Sequence, residues 1–441
     1  MKKDLKTRLV KRKVEKPDPF LMTVGFGVLG ILNRAYQVKF HYDYDPKTIE
    51  NQPTVLLSSH AARLEFLYTV YGFGRKDINM VCGYQNILRK GLYPLFLKLE
   101  VISKYLYQPD FLCVRNMFRV LARGGAIGLF PEGIQSTGGS LHPINPATTK
   151  FIKKSKANIV GCTTRGAYLA TNRYSRDRKK GPIEVDYSLL FTPEMLETLT
   201  EEEIYARLLE AIRYNDFAYN KTARNKYVGK HPNAFGITKI LYKCPACREE
   251  HRLSVEGDTI LCGGCGFRAK VNAYYDLTDE HDKVYPFDID QWYKWQRRCV
   301  AEQVKDDGFT LQMKGSLCTV RLDKLRKPPK DRVVLSVGTA TLTNEGLTFA
   351  GTLNGEPADF EFPASGLYSL TVTTQNEMEF YHNCDYFMFI PEEQKPGLIQ
   401  WTLAAEEIHN LKDEKWRSAC EDVYEYDKGD LCVCGSAPAY K

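Results

Sequence analysis

The chain has 441 residues, of which 43% are hydrophobic and 26% are charged. This composition is ordinary for a globular protein and excludes a fibrous or wholly disordered chain. The length predicts two to three domains. A net charge of +7 on a chain of this size is too small to indicate nucleic acid as a partner.

Basic residues are concentrated at the N-terminus, where residues 1–18 carry five more positive than negative charges. Residues 20–32 follow without any charge and would form a helix about 20 Å long, against roughly 30 Å for a bilayer core. We predict an in-plane or re-entrant contact with a lipid membrane surface, helped by attraction to anionic lipid. The alternative is a helix buried against the domain that follows.

Thirteen cysteines are an odd number, and several of them, such as Cys82, Cys113 and Cys162, lie singly within apolar runs. In a long chain this favours reduced thiols in the cytosol over a disulfide framework. The segment after residue 32 also offers no small-x-small cleavage site of a secretory signal. The predicted localisation is therefore cytoplasmic, with peripheral association with the membrane.

Four cysteines form two Cys-x-x-Cys pairs separated by fourteen residues: Cys244, Cys247, Cys262 and Cys265. This spacing predicts a zinc ribbon with a short hairpin between two knuckles, and four thiolates leave no open position for chemistry, so the Zn²⁺ is structural. A redox pair is the competing interpretation, disfavoured because both pairs share the ribbon spacing. No nucleic acid is expected at the ribbon, because the basic residues around it lack stacking aromatics.

Apolar runs at residues 55–57, 126–130, 158–163 and 183–191 predict strands, and residues 63–71, 111–123 and 193–214 predict helices between and after them. The fold class is therefore α/β, a mixed and mostly parallel sheet with flanking helices. After the ribbon, Asp290 is placed as the N-cap of a helix. Short strands over 333–390 and one helix over 398–411 then predict a small β-rich, pleckstrin-homology-like domain.

These patterns divide the chain into six segments. They are a basic arm and apolar membrane-contact segment (1–40), an α/β domain (41–238), the zinc ribbon (239–275), a helical linker (276–330), the β-rich domain (331–412) and a C-terminal tail (413–441).

Two local motifs carry side chains suited to catalysis, and the first joins His60 to Glu65. On one continuous helix these residues would lie about 140° apart, so they meet only if His60 lies in the turn before the helix and Glu65 in its first turns. A carboxylate there would fix the imidazole tautomer and stabilise its protonated form. The second motif, Phe130-Pro131-Glu132-Gly133, follows the strand predicted at 126–130.

These motifs resemble those of the glycerolipid (lysophospholipid) acyltransferase family, which has His-x4-Asp followed by Phe-Pro-Glu-Gly. The resemblance covers about residues 50–190. It implies transfer of a fatty acyl group from acyl-CoA or acyl carrier protein to a glycerophospholipid hydroxyl, with 1-acylglycerol 3-phosphate as the favoured acceptor. It implies that His60 is the general base and that Glu65 orients it.

Further residues are assigned by the same resemblance. Glu132 and Gly133 would shape the acceptor pocket, with Ser136 following in the same loop. Lys104 would bind the acceptor phosphate as a point charge, with Arg115 as a nearby substitute.

The chain departs from the family at three positions. Glu65 replaces aspartate, Gln135 stands where an arginine is common, and Gly161 stands where the last motif has proline. These departures keep open a second hypothesis, a weakened or inactive lipid-binding scaffold that uses the ribbon and β-rich domain for interactions. Those appended parts are expected to bind a protein partner or to close over the active site. The basic run at 173–180 is interpreted as an exposed, solvated loop near the membrane, with phosphate binding by its five Arg and Lys residues as the alternative.

Overall fold

The computed structural model describes residues 12–87, 93–320, 332–373, 375–393, 397–431 and 433. Within these ranges the chain builds three sheets, which follow one another along the sequence. Residues 1–11, the first part of the predicted basic arm, and most of the predicted tail beyond residue 431 lie outside the described residues.

The first sheet has seven strands. They are β1 (Val38–Tyr42), β2 (Thr54–Ser58), β3 (Ile78–Gly83), β4 (Ile102–Lys104), β5 (Ala126–Leu129), β6 (Asn158–Arg165) and β7 (Ile183–Phe191). Their spatial order is β1-β7-β6-β2-β5-β3-β4, and every neighbouring pair is parallel except β6 and β7. The predicted mixed, mostly parallel sheet is confirmed, and all four predicted strands are present.

Helices flank this sheet. They are α1 (Pro19–Ala35), α2 (Phe66–Phe73), α3 (Tyr84–Ile87), α4 (Tyr93–Lys98), α5 (Phe111–Ala122), α6 (Ala147–Ser155), α7 (Ala167–Thr171), α8 (Pro193–Thr198), α9 (Glu201–Ile212) and α10 (Asp216–Ala223). The single helix predicted over 193–214 is two helices. The break occurs because Thr200 starts a new helix, with a capping box that pairs it with Glu203.

The two strands that carry the predicted catalytic motifs are neighbours. Strand β2 is buried along all five residues, as expected for a strand covered on both faces of a parallel sheet. It pairs in parallel with β5, from Thr54 opposite Ala126 to Leu57 opposite Leu129. Because parallel strands present their carboxyl ends at one edge, His60 after β2 and Glu132 after β5 emerge side by side.

Helix α1 covers the uncharged segment and begins directly after Asp18, whose side chain accepts hydrogen bonds from the backbone of Phe20 and Leu21. The preceding residues run along the first domain: Val14 is buried, and Arg12 forms an ion pair with Glu100 at 2.6 Å. In the described part of the chain, no helix combines the length and the apolarity needed to cross a bilayer.

The second sheet is the small antiparallel ribbon. Its strands are β8 (Leu253–Glu256), β9 (Thr259–Cys262), β10 (Arg268–Val271) and β11 (Leu277–Thr278). Strands β8 and β9 form the predicted hairpin, and Gly257 supplies the left-handed conformation at the turn with a φ of 59°.

The third sheet is antiparallel. Its strands are β12 (Thr310–Val320), β13 (Arg332–Thr343), β14 (Gly346–Leu353), β15 (Glu356–Pro357), β16 (Phe360–Pro363), β17 (Thr371–Val372), β18 (Met378–His382) and β19 (Asp385–Pro391). The predicted β-rich segment is confirmed, whereas its pleckstrin-homology-like identity stays a prediction. The boundary at residue 331 is wrong, because β12 pairs with both β13 and β19 inside the sheet.

Three helices accompany the third sheet: α11 (Ile289–Gln303), α12 (Ile399–Lys412) and α13 (Glu414–Tyr424). The prediction of Asp290 as N-cap is wrong. Asp288 caps α11 in a capping box with Gln291, while Asp290 is buried and accepts a hydrogen bond from Ser140. The prediction of one terminal helix is also wrong, because Asp413 ends α12 and caps α13.

We call residues 310–320, 332–373, 375–393 and 397–424 the C-terminal module. It packs against the first domain through aromatic contacts, such as Tyr107 stacked on Tyr368 with ring centroids 3.7 Å apart. Helix α11, which precedes the module, is held to α12 by its buried Arg297, which pairs with Glu406 and Glu407 at 2.5 and 2.8 Å. A buried guanidinium needs such partners to offset its desolvation, so these contacts fix how the two helices dock.

Candidate active site and metal centre

His60 and Glu65 lie against each other. His60 is in the turn after β2, and Glu65 occupies the N-cap position of α2, so the chain reverses between them as the spacing predicted. The Nδ1 atom of His60 is hydrogen-bonded to Oε1 of Glu65. Oε2 of Glu65 accepts the backbone N–H of Ala62 at 3.0 Å. Both carboxylate oxygens are therefore engaged within this turn.

Glu132 holds the backbone around this pair. Its Oε1 accepts the backbone N–H of His60 at 2.5 Å, and its Oε2 accepts the backbone N–H of His142 at 2.7 Å. The hydroxyl of Tyr214 donates to the same Oε2 at 3.2 Å. Only 3% of Glu132 is exposed. Its carboxyl group is therefore hydrogen-bonded within the protein, where it holds the backbone of His60 in place.

Burial shifts the ionisation of these groups. It lowers the pKa of His60 to about 4; the charge of Glu132 opposes this shift and that of Arg173 adds to it. It raises the pKa of Glu65, against the opposing effect of the Ala62 N–H. It raises the pKa of Glu132 to about 8, against the two backbone N–H donors. His60 is therefore a neutral imidazole near pH 7.

The imidazole retains a route to the surface. Its side chain is 19% exposed, and its ring stacks on Phe130 with centroids 4.3 Å apart. With Nδ1 engaged by Glu65, the second ring nitrogen, Nε2, is the atom available to an incoming group. A neutral ring held in this way can accept a proton there.

Among the other residues predicted for the site, two belong to this turn. Ser136 donates its backbone N–H to the carbonyl of His60 at 2.8 Å, and its hydroxyl donates to the Ser140 carbonyl at 2.7 Å. Gly133 adopts a φ of 77° in the turn after Phe130. That conformation favours glycine, and it lets the chain reverse directly after Glu132.

The two predicted phosphate ligands are placed differently. The ammonium group of Lys104 lies 3.3 and 3.4 Å from the carbonyls of Tyr105 and Gln108. Arg115 is exposed on α5. In the described ranges, no hydrogen bond or ion pair joins either cation to His60 or Glu132. Their assignment to an acceptor phosphate stays a prediction.

The basic run at 173–180 is only partly a solvated loop, because Arg176, Arg178 and Lys180 are exposed but its other two basic residues are packed. Lys179 is 1% exposed, pairs with Asp177 at 3.2 Å and donates to the His231 carbonyl at 2.8 Å. Arg173 extends toward the C-terminal module, where it donates to the Val372 carbonyl. Lys179 is packed by the segment before the ribbon and Arg173 by the third sheet, which a local charge count does not reveal.

Two residues for which the sequence predicted no role at the site, His142 and Asp290, also contact its surroundings. The Nε2 atom of His142 accepts the backbone N–H of Thr137 at 3.3 Å, and its Nδ1 lies 3.2 Å from the Tyr424 hydroxyl. Asp290 lies in the same region, where its carboxylate accepts a hydrogen bond from the side-chain amide of Asn215 at 2.9 Å. These contacts link α11 and α13 to the loop after Glu132. No local motif marks the contacts of His142 with Tyr424 and of Asp290 with Asn215, because these partners lie 282 and 75 residues away.

The four ribbon cysteines converge as the spacing predicts. Their sulfur atoms lie within 4.8 Å of one another, with Cys244 and Cys265 3.7 Å apart and Cys247 and Cys262 also 3.7 Å apart. Zinc held by four thiolates at about 2.3 Å has sulfur–sulfur edges of about 3.8 Å, whereas a disulfide requires about 2.05 Å. The donor set therefore fits a closed four-thiolate metal site.

The ribbon is joined to α11 by buried contacts. The indole N–H of Trp292 donates to the Lys243 carbonyl at 2.9 Å, directly before the first knuckle. Gln296 accepts the backbone N–H of Tyr242 at 3.1 Å and donates to the Ile240 carbonyl at 2.5 Å. Loss of the knuckle would therefore loosen a segment that is part of the protein core.

Comparison with known proteins gives few matches. No protein-family model and no curated protein matches this chain. Among solved structures, the chain is similar to the 1-acyl-sn-glycerophosphate (LPA) acyltransferase PlsC from Thermotoga maritima. The sequence identity is 13% and the TM-score is 0.38, and the match covers 44% of this chain and 77% of that one.

We expect one zinc ion per chain in protein purified without chelator, measured by inductively coupled plasma mass spectrometry. Cys247→Ser and Cys265→Ser should each abolish stoichiometric zinc and lower the melting temperature by several degrees, because a four-thiolate site contributes folding free energy. Cys299→Ser is the matched control, since Cys299 is a half-buried thiol outside the cluster. Zinc near zero in the unaltered protein would contradict the assignment.

Proposed function

We propose that this protein transfers a fatty acyl group from a thioester donor to a hydroxyl of a glycerophospholipid, with 1-acylglycerol 3-phosphate as the acceptor. The observation that carries the proposal is the His60–Glu65 contact at the carboxyl edge of the first sheet, beside Glu132. The contact joins an imidazole that could act as a general base to a carboxylate that could orient it, in a turn that Glu132 holds, and this supports the proposal. The order and spacing of the two motifs support the same reaction.

In this mechanism the Nε2 atom of His60 takes the proton of the acceptor hydroxyl as its oxygen attacks the thioester carbonyl. Glu65 stabilises the imidazolium through Nδ1. When the tetrahedral intermediate collapses, the carbon–sulfur bond breaks and the imidazolium returns the proton to the leaving thiolate. The acyl group passes directly to the acceptor oxygen, without a covalent enzyme intermediate.

Glu132 is a positioning residue in this proposal. Its two oxygens accept the backbone N–H groups of His60 and His142, so it fixes the position of the His60 backbone relative to the end of the sheet. A displacement of about 1 Å at a general base is enough to reduce the rate substantially.

We further infer that α1 attaches the protein to the membrane that holds its acceptor. Its exposed apolar side chains are Phe20, Val24, Val28 and Ile31, with Phe20 74% and Ile31 71% exposed. At 100° per residue these four positions fall within an arc of about 80°. A continuous apolar stripe on an exposed helix is typical of an interfacial helix, and the basic arm before it would favour anionic lipid.

Replacing the general base should abolish turnover while leaving the fold intact. With labelled acyl-CoA or acyl carrier protein and 1-acylglycerol 3-phosphate, we expect His60→Ala to lower the transfer rate about 100- to 10,000-fold. Glu65→Gln should also lower it, because an amide can stabilise the wrong imidazole tautomer. His41→Ala is the matched control, since His41 lies exposed on β1.

The alternative function is a lipid-binding scaffold. Phospholipid binding by an unaltered protein that transfers no acyl group from either donor would favour it. Transfer at an unchanged rate by His60→Ala would instead show that another group is the base.

Removing the apolar stripe should weaken attachment to lipid. We expect Phe20→Ser and Ile31→Ser each to reduce binding to phosphatidylserine-containing vesicles about tenfold, because each residue would otherwise bury a large apolar side chain. Vesicle flotation measures the bound fraction. Val284→Ser is the control, since Val284 is 54% exposed in the ribbon region. Equal binding by all variants would assign the stripe another role.

A further inference from the structure

The backbone of His60 is held on both sides by a single loop, residues 132–142. At its start, Oε1 of Glu132 accepts the backbone N–H of His60 at 2.5 Å. Further along, Ser136 donates its backbone N–H to the His60 carbonyl at 2.8 Å. At its end, the backbone N–H of His142 donates to the other oxygen of Glu132 at 2.7 Å. A shift of the 132–142 loop would therefore displace the backbone that carries the imidazole.

The ring of His142 joins this loop to the C-terminal module. Its Nε2 atom accepts the backbone N–H of Thr137 at 3.3 Å, and its Nδ1 atom lies 3.2 Å from the hydroxyl of Tyr424. Burial lowers the pKa of His142 to about 3. Four nearby basic groups lower it further: Arg297, Arg173, His60 and Lys294. The ring is therefore neutral at pH 7 and carries one proton.

The partners of the ring determine where that proton lies. A backbone N–H can only donate, so the Nε2 atom that faces Thr137 is bare and Nδ1 carries the proton. Nδ1–H then donates to the hydroxyl oxygen of Tyr424. His142 and Tyr424 are 5% and 6% exposed, so water has little access to replace this acceptor. Without the hydroxyl, a buried N–H would lose its partner, which costs free energy and favours a different ring orientation.

Tyr424 is itself held by charged residues. It is the last residue of α13, and the central carbon of the Arg297 guanidinium lies 3.9 Å from the centre of its ring. A guanidinium over an aromatic face is attracted to it. Arg297 is in turn fixed by its ion pairs with Glu406 and Glu407. The contact with His142 therefore begins at a hydroxyl whose position is set by α11 and α12.

Helix α11 also approaches the 132–142 loop directly. The hydroxyl of Ser140 donates to Asp290 at 2.6 Å. A Cβ atom at Gly138 would lie 2.8 Å from the ring of Tyr293 and 2.9 Å from the carboxylate of Asp290, so glycine is needed for this close approach. The loop is thus packed by both α11 and α13, and its position depends on these helices.

We propose that Tyr424 is a positioning residue of the candidate active site. By accepting the Nδ1–H of His142 it fixes the 132–142 loop, and this loop fixes the backbone of His60. The inference rests on the proposed acyl transfer, in which His60 is the base, and it gives the C-terminal module a part in that reaction. Because Tyr424 acts through the loop, its loss should slow the chemical step without weakening substrate binding.

The test removes one oxygen atom, in Tyr424→Phe, and leaves the aromatic ring beside Arg297. Tyr285→Phe is the matched control, because Tyr285 is also buried and its hydroxyl donates to the Arg268 carbonyl at 2.8 Å, in the ribbon region. Heteronuclear NMR of the full chain with ¹⁵N-labelled histidine reports which ring nitrogen carries the proton. His142→Gln and His60→Ala identify the signals, and thermal melting compares the stabilities.

We expect the unaltered protein to carry the His142 proton on Nδ1. Tyr424→Phe should shift the His142 ring signals and raise the pKa of His60 from about 4 toward the ordinary 6.5, because a displaced loop admits water to the buried ring. In acyl transfer to 1-acylglycerol 3-phosphate, kcat should fall about tenfold while KM changes less than about twofold. Tyr285→Phe should lower the melting temperature and leave the NMR signals and kcat unchanged.

Three results would overturn the positioning role. They are a His142 proton on Nε2 in the unaltered protein, His142 and His60 signals that Tyr424→Phe leaves unchanged, and an equal loss of kcat in Tyr424→Phe and Tyr285→Phe. The first of these needs no variant to fold.

The NMR measurement does not depend on turnover, so the two proposals fail separately. Signals that respond to Tyr424→Phe in a protein without acyl transfer would retain the contact between Tyr424 and the His60 turn and remove the reaction. Transfer with a kcat that Tyr424→Phe does not change would retain the reaction and remove the positioning role.

Discussion

The candidate site depends on one buried carboxyl group, Glu132, which binds two backbone N–H groups at once. Burying a carboxyl group is costly unless its oxygens find directed donors, and His60, His142 and Tyr214 supply them. The strand ending before His60 and the loop ending at His142 are thereby held at a fixed separation. Because Glu132 already fixes the backbone of His60, Glu65 needs only to orient the imidazole ring. The imidazole is rigid because both its backbone and its Nδ1 atom are bound.

The ribbon and the helices that follow it also hold the site in place. Tyr424 of α13 contacts His142, and Asp290 of α11 accepts Ser140, so the loop after Glu132 is packed by residues from beyond the ribbon. The ribbon in turn is joined to α11 through Trp292 and Gln296. This arrangement favours the hypothesis that the appended parts close over the site. A metal bound by the four thiolates would then act on the site indirectly, by fixing the position of residues 239–243 relative to α11.

The sequence predicted much of this site, and the reasons differ by residue. Strand β2 and the turn at His60 follow from an apolar run and a five-residue spacing, and the four cysteines follow from spacing alone. These are local signals. The contacts of His142 with Tyr424 and of Arg173 with Val372 could not be predicted, because these partners are 282 and 199 residues away. The prediction of Asp290 as an N-cap is wrong because an aspartate near a helix start is typical of a cap. Its actual role, a buried hydrogen bond with Ser140 of the first domain, depends on a contact distant in sequence.

The most direct test of the account is the ionisation of His60 in the folded protein. Heteronuclear NMR of ¹⁵N-labelled protein reports which ring nitrogen carries the proton and how the ring titrates, with His60→Ala identifying the signals. We expect a neutral ring at pH 7 with the proton on Nδ1, a bare Nε2 and a pKa below the ordinary 6.5. A proton on Nε2 at pH 7, or a ring that titrates above 6.5, would contradict it.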